Sequence, residues 1–84
     1  MVISSLVVET APDYTQGLAA ALPGLAGVEV HGVEGHKIVV TVEADTVDDS
    51  HAIANSISER TGVINVNLIY LNFEDDKTIY PEGV

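Results

Sequence analysis

The sequence predicts an α+β domain in which the elements follow the order β-α-β-β-α-β, on three observations. Four segments are rich in β-branched residues and alternate apolar with polar positions, as half-buried strands do. Two segments between them place apolar residues at helical spacing behind a capping residue. A Gly-Val pair opens the strand after each helix, at Gly27-Val28 and again at Gly62-Val63, so the two halves of the chain repeat one pattern.

The size and composition of the chain allow one small domain with a hydrophobic core. The chain has 84 residues, of which 46% are hydrophobic and 19% are charged. A chain of this length buries only about 60–65% of its unfolded surface, so its apolar residues must serve a single core. Cysteine is absent, which excludes disulfide bonds and thiolate chemistry.

The first half of the chain is predicted to hold a strand, a helix and a hairpin. The residue pattern predicts strands over 2–9, 27–33 and 36–44. Thr10 is expected to cap a helix that ends near Leu22, because Pro23 and Gly24 follow. A tight turn at Glu34-Gly35 is expected to join the second strand to the third.

The second half is predicted to hold a helix, a strand and a tail. Thr46 is expected to cap the helix, because Asp49 follows three residues later and acidic residues suit a helix N-terminus. Apolar and polar residues then alternate over 63–73, which predicts the last strand. We therefore expect residues 1–73 to form a single domain and residues 74–84 to form an acidic, flexible tail.

Two β-α-β units joined by a tight turn predict a ferredoxin-like sandwich, in which one antiparallel four-stranded sheet carries both helices on one face. Alternation along the strands assigns the following apolar residues to the side under the helices: Leu6, Val8, Val28, Val30, Ile38, Val40, Val42, Ile64, Val66 and Leu68. The opposite face of the sheet stays open to solvent or to a partner.

This open face is the candidate binding surface. By the same alternation it is expected to carry Ile3, Ser5, Val7, Val39, Thr41, Asn65, Asn67, Ile69 and Leu71, with Glu9, Glu29, His31, Lys37 and Glu43 around them. An apolar strip flanked by carboxylates suits an amphipathic segment that has both apolar and basic side chains. Two alternatives are a solvated face without function and a face buried between two copies of the chain.

The charge of the chain excludes several classes of partner. With 3 basic and 13 acidic residues, the formal net charge is −10. Binding to nucleic acid or to an anionic membrane requires basic side chains, so neither is expected. A strongly acidic small domain attracts a basic partner instead.

No pattern in the sequence indicates catalysis or a metal site. The three histidines fall on different predicted elements without the spacing of metal ligands. The first residues lack the basic start of a signal peptide, and no apolar run reaches the roughly 20 residues that a membrane span requires. We therefore expect a cytoplasmic protein that is not an enzyme.

Four stretches taken together resemble the NapD family. They are Ser5-Leu6-Val7-Val8, Gly27-Val28-Glu29-Val30, the stretch from Gly35 to Ala44, and the stretch from Gly62 to Tyr70. The resemblance covers residues 3 to about 75, with the stretches in the family's order and at similar spacing. One departure is that the family usually has Pro-Gly before the second strand, where this chain has Ala26-Gly27.

The resemblance implies a small cytoplasmic chaperone for NapA, the catalytic subunit of the periplasmic nitrate reductase. Members of the family bind the twin-arginine signal peptide of NapA, delay its export until the cofactor is loaded, and carry no cofactor themselves. The expected partner of this chain is therefore that peptide, bound by a monomer or a weak homodimer. The expected peptide-binding residues are Ile3, Ser5, Val7, Glu9, Glu29, His31, Val39, Thr41, Glu43, Asn67, Ile69 and Leu71, with Glu9, Glu29 and Glu43 as acceptors for the arginines.

A function of a different class is the alternative. Small-molecule sensing domains of the Lrp/AsnC or ACT type share the order β-α-β-β-α-β and bind amino acids. This chain has no helix-turn-helix, and the turn at 34–37 lacks the Thr-Gly-x-x-Asp pattern expected of those sensors.

A thermal-shift screen against the amino acids separates the two functions. A ligand at one hundred times its Kd adds about 2.7 kcal/mol to the free energy of unfolding, which raises the Tm measurably. For a peptide-binding chaperone we expect no amino acid to raise the Tm. Clear stabilisation by one of them would favour the sensing domain.

Overall fold

The computed structural model describes residues 1–73, and the predicted order of elements is confirmed. The elements are β1 (Val2–Thr10), α1 (Thr15–Ala21), β2 (Val28–Glu34), β3 (Lys37–Ala44), α2 (Val47–Ser58) and β4 (Val63–Phe73). Single turns of 3-10 helix, Pro12–Tyr14 and Leu22–Gly24, flank α1 on either side. The tail predicted over 74–84 lies outside the described residues.

The sheet has the strand order β2-β3-β1-β4, and all of its neighbouring strands are antiparallel. This order follows when two β-α-β units are joined by a hairpin, because each crossover helix returns the chain over the same face. The predicted ferredoxin-like sandwich is therefore confirmed. β1 and β3 lie in the centre of the sheet, while β2 and β4 form its edges.

The core lies between the sheet and the helices. Its buried members from the strands are Leu6, Val8, Val28, Ile38, Val40 and Val42, and the helical segments add Leu18, Leu22 and Ile57. The side chains of Leu22 and Ile57 are fully buried. Because successive strand residues point to opposite faces, the odd-numbered residues of β1 and β3 lie on the other side of the sheet.

The first helix begins later than the sequence predicts. Thr10 does not cap it, because Thr10 is the last residue of β1 and is 2% exposed. Its hydroxyl is hydrogen-bonded to the Thr15 hydroxyl and donates to the His36 carbonyl oxygen. Hydrogen bonds of the Thr10 side chain thus connect the end of β1 to the start of α1 and to the turn before β3.

The second helix begins as predicted. The Thr46 side chain accepts a hydrogen bond of 3.1 Å from the Asp49 backbone N–H, while Asp48 and Asp49 lie in the first turn. The Thr46 hydroxyl thus satisfies a free backbone amide. The two carboxylates interact favourably with the positive end of the helix dipole.

The last strand departs from simple alternation, which corrects two of the assigned positions. The register between β1 and β4 shifts twice and leaves Ile64 and Ile69 without a partner in β1. The alternation assigned Ile64 and Leu68 to the core side, but Ile64 is 68% exposed and Leu68 is 56% exposed. Neither of them is therefore a core residue. Beyond the shift at Ile69, the register pairs Leu71 with Ser4, which lies on the helix side. The place of Leu71 among the peptide-binding residues stays a prediction.

Substitutions in β4 test this exposure. We expect Ile64→Ser and Leu68→Ser each to lower the free energy of unfolding by less than about 1 kcal/mol, because most of each side chain is already in water. Leu6→Ala, which removes a buried side chain opposite Leu68, is expected to cost about 2–5 kcal/mol. Urea denaturation measures all three values. A cost for Leu68→Ser as large as that for Leu6→Ala would contradict the exposure of Leu68.

The glycine that precedes β2 is required by its backbone conformation and by a close neighbour. Gly27 has a φ of 81°, and its carbonyl oxygen accepts a 2.8 Å hydrogen bond from the Glu43 backbone N–H. A Cβ atom at this position would overlap with the Glu43 carbonyl oxygen. The close approach of Gly27 and Glu43 packs the loop before β2 on the end of β3.

Gly35 supplies a matched control for Gly27, since its φ of 60° is also positive but no atom lies within 4 Å of the place a Cβ would occupy. We expect Gly35→Ala to cost about 1–2 kcal/mol for the left-handed backbone alone. Gly27→Ala is expected to cost roughly 1–3 kcal/mol more, because it adds an overlap with main-chain atoms. Equal losses in chemical denaturation would contradict the close contact.

Candidate functional site

The register across the sheet arranges the strand positions of the open face in rows. From β2 to β4 the rows are Glu29, Thr41, Ser5 and Tyr70; then Gly32, Val39, Val7 and Asn67; and then Glu34, Lys37, Glu9 and Asn65. A further row pairs Glu43 with Ile3 and Asn72. The face is therefore acidic toward β2, apolar in the centre and lined with amide residues along β4.

Four of the predicted residues meet at one corner of this face, which we call the acidic corner: Glu29, His31, Thr41 and Glu43. The register between β2 and β3 shifts between Val30 and Gly32, which leaves His31 without a partner in β3. His31 Nε2 lies 2.8 Å from Thr41 Oγ1 and 3.8 Å from Glu29 Oε1. The imidazole therefore lies between the Thr41 hydroxyl and the Glu29 carboxylate.

A cleft of about 520 Å³ gives access to this corner. Glu29, Thr41 and Glu43 line it together with the loop over residues 23–28. The described residues that line the cleft include no lysine or arginine. The Glu29 side chain is 75% exposed, so water and dissolved ions surround its carboxylate. The electrostatic attraction between this corner and a cationic partner therefore weakens as salt is added.

The third predicted acidic acceptor lies elsewhere. Glu9 pairs with Lys37 in the register between β1 and β3, at the opposite end of the strands from Glu43. It lines a separate cleft of about 450 Å³ beside the turn between β2 and β3. The structure thus brings Glu29 and Glu43 to one site and separates Glu9 from them.

The centre of the open face is apolar but small. Val7 and Val39 lie directly opposite each other, with Val39 37% exposed and Val7 half-buried. Ile3 is also half-buried and lies opposite Glu43. Toward β4 the surface becomes polar, where Asn65 Nδ2 donates a hydrogen bond of 3.3 Å to Asn67 Oδ1. The apolar area on this face is therefore limited to a few aliphatic side chains.

A third concave surface was not predicted from the sequence, and we call it the α2–β4 groove. It has a volume of about 350 Å³ and lies on the helix side of the sheet, with Ile64 and Leu68 among its lining residues. A hydrogen bond of 2.8 Å joins the hydroxyls of Ser4 and Ser50, two buried residues that also line it. Alternation runs through this strand without a break, so the sequence holds no signal for the bulge that exposes Ile64.

Residues 1–73 contain neither a metal-binding cluster nor a membrane helix. Within that range no group of three His, Cys, Asp or Glu side chains is placed to hold a metal ion. Neither helix in the same range is long and apolar enough to cross a membrane.

The comparison with protein families decides where this chain belongs. The model of the NapD protein family matches residues 1–75. The chain belongs to the NapD family. This finding confirms the predicted resemblance, and the homologous protein described next is named a chaperone and not an enzyme.

A relative and two solved structures agree with this assignment. A protein from Paracoccus pantotrophus named Chaperone NapD is 38% identical over 68 residues, which are 81% of this chain and 61% of the relative. This chain therefore matches less than two thirds of that relative's length.

Both solved structures have a TM-score of 0.77 with this chain. One is the solution structure of the Escherichia coli Tat proofreading chaperone NapD, 24% identical, covering 98% of this chain and 88% of its own. The other is a crystal structure of a protein from Thermus thermophilus, 22% identical, covering 92% of this chain and 99% of its own. They support the NapD-like fold.

Proposed function

We propose that this NapD-family protein binds the twin-arginine signal peptide of a periplasmic nitrate reductase catalytic subunit on the open face of its sheet. In this proposal it works in the cytoplasm without a cofactor and delays export of the enzyme until the enzyme's own cofactor is loaded. The observation that carries the proposal is the acidic corner, where Glu29 and Glu43 line one cleft.

The acidic corner suits the basic part of such a peptide. A guanidinium group donates two parallel hydrogen bonds to a carboxylate, and two carboxylates that line one cleft provide one acceptor for each of two arginines. The net charge of −10 adds a long-range attraction that raises the rate of encounter with a basic segment. A pair of lysines keeps the charge but loses the bidentate geometry.

The centre of the open face suits the residues that follow the arginines. Val7 and Val39 form an aliphatic patch that begins next to the acidic corner, and Ser5 lies opposite Thr41 between the corner and β4. An amphipathic segment could therefore place its basic residues at β2 and β3 and its first apolar residues over β1. Of the other predicted contacts, Asn67 borders the patch and Glu9 lies outside this path.

Binding of this kind delays export by competition. A signal peptide held on the sheet is not available to the export machinery, and the fraction that is free falls as the ratio of chaperone concentration to Kd rises. Release then requires only that the complex dissociate once the enzyme is mature.

Isothermal titration with a synthetic twin-arginine signal peptide from the cognate nitrate reductase tests the proposal. For the wild-type protein we expect binding that weakens with added salt and with replacement of both arginines by lysine. Glu29→Gln/Glu43→Gln is expected to weaken binding by about tenfold or more at low salt, and to reduce its salt dependence, because both carboxylate acceptors are lost.

Asp13→Asn/Glu59→Gln is the matched control, because it removes the same charge from exposed residues of the helical segments, away from the open face and outside the cleft. We expect it to change Kd by less than about threefold, through long-range attraction alone. Equal losses from the two double variants would contradict a local role for the acidic corner. A folded wild-type protein that binds no peptide would contradict the proposed function itself.

A further inference from the structure

We propose that the apolar stretch of the bound signal peptide crosses the edge strand β4 and packs into the α2–β4 groove on the helix side of the sheet. This inference rests on the proposed function and extends it, because it assigns the basic and apolar parts of one peptide to two surfaces of the molecule.

The first step in the argument is the position of the exposed apolar side chains. Ile64 and Leu68 are 68% and 56% exposed, and both belong to β4 and line the α2–β4 groove. On the open face itself, Val39 is only 37% exposed, and Ile3 and Val7 are half-buried. Beside the groove, an apolar segment therefore meets two side chains that are each more exposed than any of these three.

The second step is the shape of the α2–β4 groove. Its floor includes Leu6, which is buried, and Val66, which is partly buried and packs against the core. Ala54 and Asn55 of α2 form part of one wall, and Ile64 and Leu68 lie along β4. A volume of about 350 Å³ is in the range of sites that hold a small ligand or a few aliphatic side chains.

The third step is charge. The described residues that line the α2–β4 groove include no Asp, Glu, Lys or Arg, although the whole chain has 13 acidic residues. An uncharged segment can enter this groove without desolvating a carboxylate, an ammonium or a guanidinium group, although His51, a titratable side chain, also lines it. The acidic corner instead attracts a cation. The two surfaces therefore match the two halves of a segment that has a basic pair followed by an apolar stretch.

The same charge argues against a second copy of this chain as the occupant. Two copies with a net charge of −10 each repel one another, so an apolar contact between them must overcome that repulsion. A segment that follows two arginines is attracted to the protein by the same field. Charge complementarity thus selects the peptide.

A short length of peptide spans the sheet from the acidic corner to the β4 edge, and the residues after it pass over that edge toward the groove. Strands in a sheet are about 4.8 Å apart, which places β4 about 14 Å from β2. An extended peptide covers this distance in about five residues, and a helical one in about ten. The apolar stretch that follows the arginines therefore reaches the β4 edge.

Titration of two peptides into three proteins tests the inference. One peptide has the complete apolar stretch, and the other has the same basic pair with that stretch replaced by serine and glycine. For Ile64→Ser/Leu68→Ser we expect Kd for the complete peptide to rise at least about tenfold, while Kd for the serine–glycine peptide stays within about twofold of wild type. The salt dependence of binding should be unchanged, because the acidic corner is intact.

Val33→Ser is the matched control. Val33 is 42% exposed on β2, the opposite edge of the sheet, so its substitution removes apolar area outside the groove. We expect this variant to bind both peptides like wild type. Thermal denaturation of each variant confirms that the exposed substitutions leave the fold intact.

Three results would overturn the inference. If Ile64→Ser/Leu68→Ser binds the complete peptide like wild type, the apolar stretch packs elsewhere, and the proposed function stands. If wild type sediments as a dimer that this variant converts to monomers, the groove belongs to a second copy. If wild type binds neither peptide, the inference fails together with the proposed function.

Discussion

The pairing of β1 on both of its edges is the constraint on which the rest of the structure depends. β1 pairs with β3 on one side and with β4 on the other, so its backbone groups are satisfied within the sheet. Its even-numbered residues from Val2 to Thr10 are buried under the helices, while Ile3, Ser5, Val7 and Glu9 face the other way. Since a slip of one residue would exchange the two faces, this pairing determines which residues of β3 reach the core and which reach the surface.

The two edges of the sheet differ because each carries its own irregularity. On β2, the shift at His31 brings an imidazole beside Thr41 and Glu29 and completes an acidic corner. On β4, where the register shifts at Ile64 and again at Ile69, the side chains of Ile64 and Leu68 are largely exposed and line the α2–β4 groove. In the proposed complex, the charged edge governs the rate of encounter and the apolar edge governs the rate of dissociation. One peptide with a basic and an apolar half would use both edges.

Much of the fold could be predicted from the sequence because local patterns agree with one another. Period-two alternation defines β1 and β3, and both bury the residues assigned to the core. Thr46 and Asp49 predict the start of α2 because capping depends on residues three apart. The resemblance to the NapD family followed from the order of four strand motifs, and the family match over residues 1–75 confirmed it. Glu29, Thr41 and Glu43 were placed on the open face by the same alternation.

The chain by itself therefore determined the element order, the family and the residues of the acidic corner, since periodicity, caps and turns act between neighbours in sequence. Only the tertiary structure decided that Thr10 ends a strand instead of capping a helix, and that Glu9 lies beside Lys37, apart from Glu43. It also decided that Leu68 is exposed. These outcomes depend on strand register and on bulges, which are set by pairing between residues distant in sequence and leave the local alternation unchanged.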